Sequence, residues 1–294
     1  MKSTENNNES FLILLFWLLS FCGLGIIGWK FFACQEEPME TKVIYVFSTF
    51  LAASFLFRWI RKKSSGVKIE KWTREAIEWS DTGVSAVLLA FLIMAFLIQA
   101  FKIPSGSMRP TLEIGDHLFV NKFIYGTQIP FTSKKLWDFK QVKRFDVVVF
   151  LCPLNALSEE ERKKGIKKDF IKRAIGLPGD NLEIKNKMLF INGKKMDDIH
   201  GHFLHPTIYP KAKIYKDDAE YQKNWENGDF IYLPAEAIRD NFGPIKVPEK
   251  HFFVMGDNRD GSFDSRFWGP LSEKQLKGRA WLLYWPFTRF KIIN

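Results

Sequence analysis

Two serines separated by one residue, Ser105 and Ser107, stand in the turn-prone stretch Ser105-Gly106-Ser107-Met108-Arg109-Pro110-Thr111-Leu112. This stretch follows an apolar run that ends at Phe101. A serine hydroxyl is a weak nucleophile until a neighbouring base takes its proton. The chemistry such a segment could do is acyl transfer through Ser107, with the base supplied from elsewhere in the chain.

Histidine, oriented by a carboxylate, is the usual base. The candidates are His117, His200, His202, His205 and His251. Three of them cluster as His200-Gly201-His202-Phe203-Leu204-His205, a loop context that suggests metal ligation only weakly. His117 and His251 fall in or beside expected strands and read as structural. There is no Gly-x-Ser-x-Gly elbow, which argues against an α/β-hydrolase.

Lysine is the other base known for serine. It must be neutral to accept a proton, and its ordinary pKa is about 10.4, so it needs an apolar, desolvated setting. Asp169-Phe170-Ile171-Lys172-Arg173-Ala174-Ile175-Gly176 offers one. In a regular strand Lys172 shares a face with Phe170 and Ala174, while Arg173 points the other way and can reach water. The residues alone leave this pairing open. Other lysines exist, and Lys172 would also serve as a charged guard on an edge strand.

The elements that must position these residues fall into two regimes. Residues 11–29 and 84–101 are uncharged apolar runs, and residues 43–60 form a third whose uncharged part, 43–57, is shorter and is extended by Arg58-Trp59-Ile60. A membrane helix needs about 17–25 apolar residues, so three transmembrane helices are expected, with a buried core helix as the other reading of the second run. A cleaved signal peptide at 11–29 is disfavoured, because Lys2 is the lone cation before it and its apolar core is long. The link 61–81 carries Arg61, Lys62, Lys63, Lys68, Lys71 and Arg74, whereas Gln35-Glu36-Glu37-Pro38-Met39-Glu40 is acidic. The positive-inside rule then puts the link in the cytoplasm and everything after Phe101 outside. The net charge of +10 sits partly on that link, where anionic lipid accounts for it. With no nucleic-acid module in view, nucleic acid is not an expected partner. Cys22, Cys34 and Cys152 form no disulfide framework, and nothing in the sequence pairs Cys34 with Cys152.

From residue 102 to 294 the pattern is of strands. Residues 117–124, 146–150, 251–255 and 279–285 are short β-rich runs. Met188-Leu189-Phe190-Ile191 followed by Asn192-Gly193 predicts a type I′ hairpin. Leu177-Pro178-Gly179-Asp180 predicts a type II turn. One helix is expected, within residues 158–168. The prediction is a membrane anchor, 1–101, followed by a mostly β catalytic domain, 102–294.

Four blocks, in this order, resemble bacterial type I signal peptidase. They are residues 101–112; Gly115-Asp116-His117-Leu118-Phe119-Val120-Asn121-Lys122; Lys172-Arg173-Ala174-Ile175-Gly176-Leu177-Pro178-Gly179-Asp180; and Gly256-Asp257-Asn258-Arg259-Asp260-Gly261-Ser262-Phe263-Asp264-Ser265-Arg266-Phe267-Trp268-Gly269-Pro270. The resemblance implies a signal-peptidase-type β fold and a multi-pass protein of the cytoplasmic membrane with its catalytic domain on the extracytoplasmic side. Its partners would be exported preproteins and the lipid bilayer, and it would need no cofactor and no metal. It makes Ser107 the nucleophile and Lys172 the general base, with the Ser105 hydroxyl and the Ser107 N–H as the oxyanion hole. Ser262 would orient the lysine, supported by Asp264 and Arg266. Phe101, Ile103, Pro104, Met108, Leu112, Leu118, Phe170 and Ile171 would line the substrate pocket. A calcium loop in the last block fails, because aligning Gly261 with the loop glycine puts Gly256 and Phe267 at ligand positions. Three spans exceed the one or two of better-known relatives, and residues 199–250 match no motif. The competing reading is an inactive membrane-anchored β module that binds a partner.

Overall fold

The computed structural model describes residues 85, 86, 89, 97–125, 141–212 and 214–293. By packing, the chain divides into Met1–Ala95 and Phe96–Asn294, and the second unit carries the residues of interest. The expected spans at 11–29 and 43–60 and the link 61–81 lie outside the described residues, as does most of 84–101. Among the described residues no helix is long and apolar enough to cross a membrane. The end of the third apolar run differs from expectation: Ile98–Lys102 is strand, not helix. Its backbone finds partners on a neighbouring strand, from Ile98 opposite Asn121 to Lys102 opposite His117.

The strands are β1 (Ile98–Lys102), β2 (His117–Asn121), β3 (Val147–Leu151), β4 (Asp169–Gly176), β5 (Asn181–Lys185), β6 (Met188–Ile191), β7 (Lys194–Lys195), β8 (Phe242–Lys246), β9 (His251–Met255), β10 (Leu271–Ser272), β11 (Leu276–Trp285) and β12 (Lys291–Ile292). A large antiparallel sheet runs β1-β2-β11-β3-β4-β9-β10, with β12 added on β11, and a smaller one runs β7-β6-β5-β8. The helices are α1 (Glu159–Lys163), α2 (Asp218–Asn227), α3 (Ala235–Ile238) and α4 (Ser265–Trp268).

The apolar run of β3 is explained by burial on both faces. Val148 and Phe150 join one core with Trp225, Phe253 and Trp268. Val147 and Val149 join another with Met108, Leu112, Leu118 and Leu283. β4 pairs beside it, with Lys172 opposite Val148. The expectation that Arg173 reaches water fails, since it is 0% exposed. Its guanidinium is matched by a carboxylate instead: Nε and Nη2 donate to Asp257 at 2.8 and 2.7 Å, and Nη1 donates to the Phe145 carbonyl.

Both predicted turns form. Asn192 and Gly193 have φ of 51° and 77°, as type I′ requires. Gly179, at φ 83°, completes a type II turn closed by Asp180 N–H on Leu177 O. The expected helix shortens to α1, begun by a capping box between Ser158 and Glu161. α2, in the stretch without a motif, is capped by Asp217, ends at Gly228 and packs on β8.

Candidate active site

Ser107 is the middle residue of a single 3-10 turn, Gly106–Met108, and Lys172 sits at the centre of β4. The topology brings them together from 65 positions apart, with Lys172 Nζ 2.6 Å from Ser107 Oγ. Both are buried, at 8% and 5% exposure. The Phe170 ring lies 5.7 Å from Nζ. Burial pushes the Lys172 ammonium down to about 8, against the opposing charge of Asp264 and with the help of Arg266. A good part of the lysine is therefore neutral at mildly alkaline pH, where it can accept a proton from the serine.

Asp264 and Arg266 form a fully buried, two-pronged ion pair at 2.9 Å. Burial works against the Asp264 charge, but the Arg266 guanidinium overcomes it, aided by Ser262 and Lys172, and holds the carboxyl below its ordinary range. Asp264 also caps α4 through Arg266 N–H and accepts Gly256 N–H at 3.1 Å. Ser262 Oγ accepts the same Gly256 N–H and bonds to Asp264. Its hydroxyl thus links Gly256 to the carboxylate whose charge acts on Lys172.

The block 256–258 supports the serine turn from one side. Asn258 N–H donates to Ser107 O at 3.1 Å, and its side chain donates to Gly106 O at 3.3 Å. Gly256 approaches so closely that a Cβ there would lie 2.3 Å from both Ser107 O and Ser262 Oγ. These two positioning residues were not singled out from the sequence. The density of Gly, Asp and Asn in the block was the available signal. Ser105 precedes the turn in extended conformation, exposed, and its hydroxyl caps nothing in it. The Ser107 N–H lies in the first turn of a helix, where N–H groups have no partner within the turn.

The expected pocket residues divide by accessibility. Met108, Leu112 and Leu118 are 0% exposed, and Ile103 is also buried. All four pack in one core with Val147 and Val149. Phe101 and Ile171 pack on the edge of that core, Phe170 is partly buried against the other, and Pro104 is exposed. These four keep surface that a substrate can touch.

The histidine loop braces the same block through its backbone. His202 N–H donates to Asp257 O and His202 O accepts Arg259 N–H, while Leu204 and His205 N–H groups converge on Asp260 Oδ2. Among the described residues no three His, Cys, Asp or Glu side chains are grouped to hold a metal ion.

Comparison with known proteins places this geometry in a family. The model of the family described as signal peptidase, peptidase S26, matches residues 76–285. Signal peptidase I S of Bacillus subtilis strain 168 is 33% identical over 233 residues, covering 79% of this chain and 100% of that protein. Signal peptidase I P of Bacillus subtilis subsp. natto is 36% identical over 216 residues, covering 73% and 92%. Signal peptidase I of Pseudomonas fluorescens is 31% identical over 239 residues, covering 75% and 78%. The match takes in the serine turn, β4 and the 256–266 block alike, and the chain belongs to the peptidase S26 family of signal peptidases.

Proposed function

We propose that the protein is a membrane-bound serine endopeptidase that removes signal peptides from exported preproteins, with Ser107 and Lys172 as its dyad. The observation that carries this reading is the buried 2.6 Å contact between Lys172 Nζ and Ser107 Oγ. Neutral Lys172 takes the proton of Ser107 as Oγ bonds to the scissile carbonyl carbon. The negative charge on the carbonyl oxygen meets the Ser107 N–H and the Ser105 hydroxyl, and one such donor typically lowers the barrier by about 3–4 kcal/mol. The Lys172 ammonium then protonates the leaving amine as the carbon–nitrogen bond breaks, leaving an acyl-enzyme. A water, deprotonated by the same lysine, attacks the ester and restores the Ser107 hydroxyl.

The apolar runs at 11–29, 43–60 and 84–97, the last ending where β1 begins, are read as the membrane anchor, with the catalytic unit on the extracytoplasmic side. A signal helix lying in the bilayer would then present its cleavable bond near the start of β1.

The test is preprotein cleavage by the purified chain in detergent. Ser107→Ala and Lys172→Ala are each expected to abolish it. Lys172→Arg is expected to be inactive too, because a guanidinium keeps its proton throughout the working range. Cleavage surviving both alanine changes overturns the dyad.

A further inference from the structure

The loop 103–116 carries Ser107, and the block 256–258 holds it at Gly106, Ser107 and Thr111. Residues 286–293 add contacts at Thr111 and Asp116. Arg289 Nε and Nη2 reach the Asp116 carboxylate at 3.2 and 3.1 Å. Asp116 is 2% exposed and itself closes the loop, accepting Glu113 N–H with its side chain and Ile103 N–H with its carbonyl. Lys291 Nζ donates to Thr111 O at 2.8 Å. The Thr111 hydroxyl in turn donates to Asp257, the carboxylate that pairs Arg173 next to Lys172. Ile293 is buried in the same core as Met108 and Leu112, and its N–H donates to Trp281 O. β12 pairs along β11, which fixes the base of the segment.

We infer that residues 286–293 act as a clamp on the nucleophile loop, and that Arg289 and Lys291 are positioning residues for acyl transfer. Their contacts fall on Thr111 and Asp116, in the part of the loop after Ser107, whereas Asn258 holds Gly106 and Ser107 themselves. A partly exposed ion pair, as Arg289 makes, and an exposed hydrogen bond to a carbonyl, as Lys291 makes, add little to global stability, so what these two chiefly supply is geometry. A nucleophile displaced by about 1 Å costs about a hundredfold in rate, and two anchors on one short loop oppose such a displacement. The inference rests on Ser107 being the nucleophile.

The experiment measures kcat, KM and the thermal midpoint of the full chain in detergent, for Arg289→Met, Lys291→Met, Lys291→Arg and Ser107→Ala. Each methionine variant is expected to lose about tenfold in kcat with KM held within about twofold, because transition-state geometry is lost and not binding. The midpoint is expected to stay near that of the parent protein. Lys291→Arg, which keeps a donor for Thr111 O, is expected to recover most of the loss. Parental kcat in both methionine variants, beside an inactive Ser107→Ala, overturns the clamp alone. So does a loss of kcat that tracks the midpoint and is not recovered by Lys291→Arg. Cleavage surviving in Ser107→Ala overturns the nucleophile assignment, and the clamp with it.

Discussion

Lys172 is an ammonium side chain in a place that penalises charge. Its pKa falls from 10.5 to about 8, chiefly through burial. A folded value below the unfolded one means the unfolded chain holds its proton more tightly. The resulting penalty on folding is present in full below pH 8 and is relieved as pH rises toward 10.5. At about 1.4 kcal/mol per unit it amounts to about 3 kcal/mol at neutral pH. Lys172→Met should therefore abolish cleavage and raise stability at pH 7 by about 1–3 kcal/mol, less whatever the lost serine contact contributed. Thermal unfolding of the two proteins in detergent checks this, and a lowered midpoint would contradict it. Ser107 and Lys172 were legible as types, because a base for serine needs an apolar strand around it. The burial of Arg173 was not, because its partner Asp257 lies 84 positions away and local alternation says nothing of it.

The elements were legible where local chemistry dictates them. The Asn192-Gly193 hairpin and the Gly179 turn follow from φ demands, β2 from period-two burial and β3 from an apolar run buried on both faces. α2 carries equally local signals that passed unread: Asp217 accepting Glu220 N–H, Tyr221 and Trp225 one turn apart, and Gly228 at φ 79°. β1 was hidden, because an uncharged run reads as helix until a partner strand claims its backbone. The contact between Gly256 and the serine turn exists only in the assembled fold. A Gly256→Ala methyl would sit 2.3 Å from the Ser107 carbonyl oxygen, so either the turn or the 256–266 block must move. Cleavage should fall by about a hundredfold or more through displacement of the nucleophile, with a stability loss of about 1–3 kcal/mol from overpacking. Near-parental kcat in that variant would mean that the close approach does not govern the site.

Across the whole catalytic unit, two sheets and two cores serve one small constellation. The Arg173–Asp257 and Arg266–Asp264 pairs are both fully buried, the first joining the 256–266 block to β4 and the second lying within the block. Each balances its own charge, so the lysine among them is governed mainly by burial. Pairs of this kind contribute little net stability but are costly to break singly, and here Arg173–Asp257 ties the block to β4 while Arg266–Asp264 holds the block's own fold. The large sheet then presents Lys172 to the serine turn, and the apolar runs of the first unit are proposed to hold that turn at the membrane surface. The most direct test of this account is the pH dependence of kcat/KM for preprotein cleavage by the full chain in detergent. A buried lysine base predicts a rise through an apparent pKa near 8 and a plateau above it. A rise centred near about 6.5, the ordinary value of histidine, or a profile flat from about pH 6 to about pH 9 across the range in which such a lysine titrates, would contradict it.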